Sequence, residues 1–127
     1  MTIEKAIFLV DELKPNQIEK ERKIEWLSRL DERLFEEVIR THEPGPGPLP
    51  VFAPYTQETD GDTELLAPAP YDELYRFYLE MHIDLANLEY DKYNNSAMLY
   101  ATSRGQLYRM WHREHRPLVS TSAHLRF

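Results

Sequence analysis

Apolar residues return every three or four positions along most of this chain, and where they stop doing so prolines take over. Near the start, Ile3, Ala6, Ile7, Val10 and Leu13 share one face of a helix that Thr2 can cap. Pro15 restricts Lys14 before it and ends that helix. Asn16 followed by Glu19 has capping-box spacing and predicts a long second helix reaching about Thr41. Its buried stripe is Ile24, Leu27, Leu30, Leu34 and Val38, widened by Trp26, Phe35 and Ile39. Glu19 with Lys23, Glu25 with Arg29 and Glu36 with Arg40 stand four apart in the favourable order, on what should be the wet face.

A third helix is predicted from Pro70, which suits a first turn, with Asp72 and Glu73 at its positive end. Leu74, Phe77, Tyr78, Met81, Leu85 and Leu88 form its expected core stripe, through to about Tyr93. Asn94, Asn95 and Ser96 read as a break and a new N-cap. The fourth helix, from Ala97 to about His115, places Met98, Ala101, Gly105, Tyr108, Trp111 and His115 on one side, with Gly105 offering close approach to a neighbouring helix. Pro117 stops it, and residues 117–127 show no helical period, as expected of a tail that is mobile in an isolated subunit.

Between the second and third helices the chemistry changes. Residues 43–70 hold prolines at 44, 46, 48, 50, 54, 68 and 70 and no Lys or Arg, which excludes helix from most of the stretch. Two short extended runs, Leu49 to Tyr55 and Thr63 to Leu66, flank an Asp60-Gly61 step that favours a tight turn. Two forms fit: an arm that contacts another subunit through Val51, Phe52, Tyr55, Leu65 and Leu66, or a small β-hairpin packed on its own domain. The expected fold class is therefore all-α, a four-helix-bundle-like single domain over residues 1–116 with a long Pro-rich loop or small β-hairpin inserted between helices 2 and 3.

With 127 residues, 42% hydrophobic and 29% charged, the chain suits one folded domain with its own core. Its longest apolar run, Ala6 to Val10, is far below the roughly 20 residues of a membrane span, and Glu4 and Lys5 before it do not resemble a signal peptide. Synthesis inside the cell and no membrane association are the expectations. The absence of cysteine removes disulfides, thiolate metal sites and cysteine nucleophiles. Charge changes the picture more: residues 1–95 carry ten Lys/Arg against 21 Asp/Glu, whereas residues 96–127 carry five Arg against Glu114 alone. Opposite patches suit head-to-tail contact between copies, and they equally suit solvation of exposed helix faces.

Candidate chemistry is sparse. His112 and His115 stand three apart, too few ligands for a metal site, and Asp84, Glu89 and Asp91 at helical spacing read as a solvated face. Glycines at 45, 47, 61 and 105 build no phosphate-cradling loop. No catalytic pair and no cofactor are expected. Seven tyrosines, from Tyr71 to Tyr108, crowd the last two helices and suit either an interface or an aromatic core with wet edges. Arg104, Arg109, Arg113 and Arg116 are candidates to pair with the acidic helix of a neighbouring subunit or to face passing DNA.

The run Pro70-Tyr71-Asp72-Glu73-Leu74-Tyr75, then Ile83-Asp84, Glu89-Tyr90 and Tyr93-Asn94-Asn95-Ser96-Ala97, resembles small proteins encoded among the head genes of tailed phages and prophages. Val10-Asp11-Glu12-Leu13-Lys14-Pro15-Asn16 and Asp62-Thr63-Glu64-Leu65-Leu66 belong to the same pattern, which covers residues 10–115 in patches. The resemblance implies a head-tail connector (adaptor): a structural protein, not an enzyme, that forms a ring with copies of itself and joins the portal protein to a tail or stopper protein. It further implies a bacterial cytoplasmic origin, a final place at the head-tail junction of the virion, and DNA met only as passing cargo. The extended loop 43–70 would reach a neighbour, and residues 117–127 would dock on the portal; the Pro44-Gly45-Pro46-Gly47-Pro48 stretch departs from the pattern. Two other classes compete: an accessory module binding a partner protein through its Pro-rich loop, and a small enzyme, which would need a pocket of converging polar groups.

Overall fold

A computed structural model describes residues 1–118. It is helical, with α1 (Ile3–Leu13), α2 (Lys20–Leu34) continued by a π-helical turn (Phe35–Ile39), a 3-10 turn (Tyr71–Glu73) leading into α3 (Leu74–Ala86), and α4 (Tyr90–Glu114). The described residues contain four α-helices and no strand. Two isolated antiparallel bridges, Thr2 with Glu64 and His42 with Pro117, are the only β-type pairings among them.

α1 begins where the cap predicts. The Thr2 hydroxyl accepts from the Lys5 N–H at 3.1 Å, and its backbone is extended, as an N-cap requires. Two more N–H groups of the first turn, normally without partners, donate to the proline-rich segment: Ile3 to the Thr63 carbonyl at 3.1 Å and Glu4 to the Gly61 carbonyl at 3.0 Å. The approach is close enough that a Cβ at Gly61 would lie 3.0 Å from Glu4 Oε2 and 3.3 Å from Glu4 Cβ.

The start of α2 differs from the capping-box expectation. The Asn16 side chain instead closes a local turn, accepting from the Ile18 N–H at 3.1 Å, and the helix begins at Lys20 without a side-chain cap. Lys23 also leaves its expected partner. It lies buried against Asp11 of α1 at 2.5 Å, while Arg29 and Arg40 do pair with Glu25 and Glu36 on the wet face. Near its end α2 widens: the Arg40 N–H reaches back five residues to the Phe35 carbonyl at 2.9 Å.

Contacts fix the directions. Lys14 Nζ meets Asp84 Oδ1 at 2.7 Å, so α1 and α3 end side by side and run parallel. Ser96 near the start of α4 donates to the same carboxylate at 2.8 Å, so α4 returns antiparallel to α3. α2 runs with α4, since Trp26 stacks on His82 and Asp31 bonds Tyr75 further up α3. The core between them is Ile3, Ala6, Ile7 and Val10 of α1, Ile24, Leu27, Leu30 and Leu34 of α2, and Leu74, Tyr75, Tyr78, Leu79 and Ile83 of α3, closed by Leu107 and Met110 of α4.

The buried faces of α3 and α4 are rotated from those the spacing predicts. Leu85, Leu88, Met98, Ala101 and Tyr108 face water, while Tyr75, Leu79, Ile83, Ser96 and Leu107 are inside. α3 has apolar residues on more than one side, so its orientation is chosen by the bonds its buried polar groups can make. Asp84 is consequently interior, and not part of a solvated carboxylate face. A Cβ at Gly105 would meet only its own helix's Arg109, so that glycine does not admit a neighbouring helix.

The turn between α3 and α4 falls at residues 87–89, and Asn94, Asn95 and Ser96 lie within α4. The Leu88 N–H donates to the Leu85 carbonyl at 3.1 Å and the Glu89 N–H to the Asp84 carbonyl at 2.9 Å, which is the Schellman pattern. Its left-handed position is filled by Leu88 at φ +58, a conformation that costs a branched L-residue about 1 kcal/mol or more. Ser96→Ala would leave a buried oxygen of Asp84 without its hydroxyl donor, and urea denaturation is expected to show a loss of roughly 1–2 kcal/mol with helix content unchanged.

Candidate functional site

The proline-rich stretch divides into two halves with opposite behaviour. Its second half is locked to the bundle through Asp31, a fully buried carboxylate on α2. Asp31 accepts from the Tyr55 hydroxyl at 2.5 Å, the Tyr75 hydroxyl at 2.6 Å and the Leu66 N–H at 3.0 Å. The Tyr75 oxygen in turn accepts from the Ala67 N–H at 2.7 Å, and Ser28 Oγ accepts from the Tyr55 N–H at 2.9 Å. One carboxylate thereby joins α2, α3 and two points of the intervening segment.

Burial pushes the Asp31 carboxyl above the ordinary aspartate range, against three donated hydrogen bonds that pull it down. The same burial, followed by the negative charge of Asp31, raises both tyrosines far above a free phenol and keeps them neutral donors. Leu65 and Ala67 are carried into the core by this anchoring, so Leu65 is not an exposed contact residue. Leu66 is half-buried, and the Tyr55 hydroxyl is committed to Asp31. The two extended runs, Leu49 to Tyr55 and Thr63 to Leu66, do not bond to each other: residues 61–65 pair with the start of α1, and no hairpin forms.

The first half, residues 43–53, behaves differently. Val51 is 88% exposed and Leu49 74% exposed, although both are apolar. Only Phe52 turns inward, its ring 6.0 Å from Phe35 on the π-helical turn and 5.5 Å from Tyr55. Between this strip and the end of α2 lies an open groove of about 530 Å³, whose walls include Phe35, Ile39, Leu49, Val51 and Phe52, with Arg40 and Leu118 also on its lining.

Residues 116–118 meet the same region. Glu43 N–H donates to the Arg116 carbonyl at 2.7 Å and Leu118 N–H to the Thr41 carbonyl at 2.9 Å, so the start of the expected tail, Pro117 and Leu118, is tied to the exit of α2. Residues 119–127 of that tail lie outside the described residues. His42, which the sequence did not single out, is buried here; its Nδ1 lies 2.6 Å from the Val38 carbonyl and its Nε2 lies 3.3 Å from His112 Nδ1. His115 turns away to stack on Trp111 at 4.3 Å, so the two α4 histidines do not converge. No group of three or more His, Cys, Asp or Glu among the described residues is arranged to hold a metal ion.

The four candidate arginines separate. Arg104 is paired with Glu37 of its own chain. Arg109, Arg113 and Arg116 are exposed around the C-terminal end of α4, beside the groove end of the bundle. Apolar arm, groove and basic helix end therefore occupy one end of the molecule. No helix among the described residues is long and apolar enough to cross a membrane.

Asp31→Ala would strand three donors in the interior and is expected to lower the unfolding free energy by roughly 3–5 kcal/mol in a urea titration. The pH dependence has a definite sign. A carboxyl raised in the folded state contributes stability that is complete below its unfolded value of 3.8 and is lost as pH rises through the folded value. The stability gap between the native chain and Asp31→Asn should therefore widen as pH falls from neutrality toward the unfolded value of 3.8; a gap that narrows on acidification would contradict this assignment.

Comparison with protein-family models, curated proteins and solved structures finds no match for this chain.

Proposed function

We propose that this chain is a structural assembly subunit, a head-tail connector of a tailed phage or prophage, which forms a ring with its own copies and joins portal to tail. The observation that carries the reading is the arm: Leu49 and Val51 stand in water over an apolar groove while the other half of the same segment is bonded to the core. A chain gains nothing within itself from holding two large aliphatic side chains out of contact, and exposed apolar surface of this kind is what association covers. Prolines at 44, 46, 48 and 50 stiffen the strip in advance, so ordering it against a partner loses less entropy.

In this reading the arm of one subunit seats on the next, and the exposed Arg109, Arg113 and Arg116 meet acidic surface or line the path of DNA, which is cargo and not a specific ligand. The resemblance in residues 10–115 supplies the portal and the tail or stopper protein as the outer partners, and the virion neck as the final location. No reaction is assigned to the chain. A second reading, an accessory module that binds one partner protein through the same strip, draws on the same exposed prolines.

Native mass spectrometry separates the two. The chain at rising concentration, alone and with the portal protein of the same genome, is expected to give a closed oligomer; a single copy per partner under all conditions favours the accessory module. Leu49→Asp with Val51→Asp should abolish the oligomer while leaving the circular dichroism spectrum unchanged, because neither side chain contributes to the core.

A further inference from the structure

The corner between α3 and α4 holds a residue that its own fold disfavours twice. Leu88 fills the left-handed position of the Schellman turn, at φ +58, where glycine or asparagine fits without strain. Its side chain is also 69% exposed, so no packing within the chain offsets the strain. Leu13, Leu85 and Tyr90 are exposed at the same end, held together by the Lys14 bond to Asp84 and by Asn87 donating to the Pro15 carbonyl at 3.5 Å. Helix ends in a small bundle do not need four large apolar side chains in water, and grouping them makes a patch suited to a partner.

The rim of the patch is acidic. Glu12, Glu19 and Asp91 are exposed at this end; Lys14 is engaged by Asp84 and Lys92 by Glu89, which leaves Arg22, beside Ala86, as the cation among them without an ion pair. The far end of a helix of 25 residues has the opposite balance: Arg109, Arg113 and Arg116 against Glu114 and Glu43, around exposed Tyr108 and Leu118. α4 thus runs from a mostly acidic apolar corner to a mostly basic apolar end, about 37 Å apart at 1.5 Å per residue. Two unlike surfaces on one chain are what a heterologous contact between copies requires.

We infer that the α3–α4 corner is a docking surface for a second copy of this chain, with Leu88 as its apolar anchor and the arginine-bearing end of α4 as the element that seats on it. The choice of occupant rests on the self-assembly reading; the seating element shares its end of the molecule with the proline-rich arm, so the corner itself, through Leu88, is the part that can fail while the arm stands.

The test is Leu88→Asn, which keeps a residue tolerant of the left-handed region and removes the apolar side chain. Sedimentation velocity of the full chain over a concentration series is expected to show self-association weakened about tenfold or more, the loss that follows from removing one buried leucine from an interface. Thermal unfolding of the same variant should be unchanged or raised by a few degrees, since strain is relieved. Asp91→Arg and Arg113→Asp should each weaken association, and the double variant should recover it. Native-like association of Leu88→Asn would overturn the corner and leave the arm standing. A large fall in Tm would overturn it too, by making Leu88 part of the fold's own packing. A native chain that stays monomeric at every concentration would overturn the choice of a second copy, whereas portal binding reports on the connector reading by itself.

Discussion

The fold turns on a single buried carboxylate. Asp31 lies in the interior of α2 with no solvent, and an aspartate there is tolerated only if donors surround it. Two of the three it has come from residues 55 and 66, inside a stretch that could form no helix of its own. The third, Tyr75, sets which face of α3 turns inward. Satisfying one acid therefore orients a helix, anchors the proline-rich segment and carries Leu65 and Ala67 into the core.

A second buried acid repeats the device at the other end. Asp84 holds Lys14 from α1 and Ser96 from α4, and the α3–α4 turn closes immediately after it. Between these two polar pins lies ordinary apolar packing, which supplies most of the driving force but little direction. Aliphatic contacts are non-directional, whereas a carboxylate whose partners must lie within about 3 Å is exacting. The polar pins specify the arrangement that the apolar surfaces stabilise.

Functionally, the consequence is a division within the 43–70 segment. Tyr55, Leu65, Leu66 and Ala67 are anchored to the bundle, whereas residues 44–51 are exposed between the tether at Glu43 and the inward ring of Phe52. An arm on a fixed base can present Leu49 and Val51 at a defined place, and the end of α4 beside it adds positive charge. Within the reading proposed above, rigid bundle, arm and charged helix end are the parts from which repeated contacts are made.

The sequence by itself determined the helix count, the cap at Thr2, the inward stripe of α2 and that of α1 except for Leu13, which is exposed, the non-helical character of residues 43–70 and the positions of the exposed arginines near the end of α4. These follow from local rules: period, proline geometry and the charge inventory. Tertiary structure alone decided that Lys23, Asp31, His42, Asp84 and Ser96 are interior, that α3 and α4 are turned from their most apolar-looking faces, and that the turn falls at 87–89 and not at Asn94-Asn95-Ser96. It also decided that Leu65 is core while Val51 is exposed, though both looked alike in a proline-rich loop. The reason is physical: a buried polar group chooses its partners across 24, 35 or 44 positions of chain, and no pattern read along the chain encodes a hydrogen bond made at that separation.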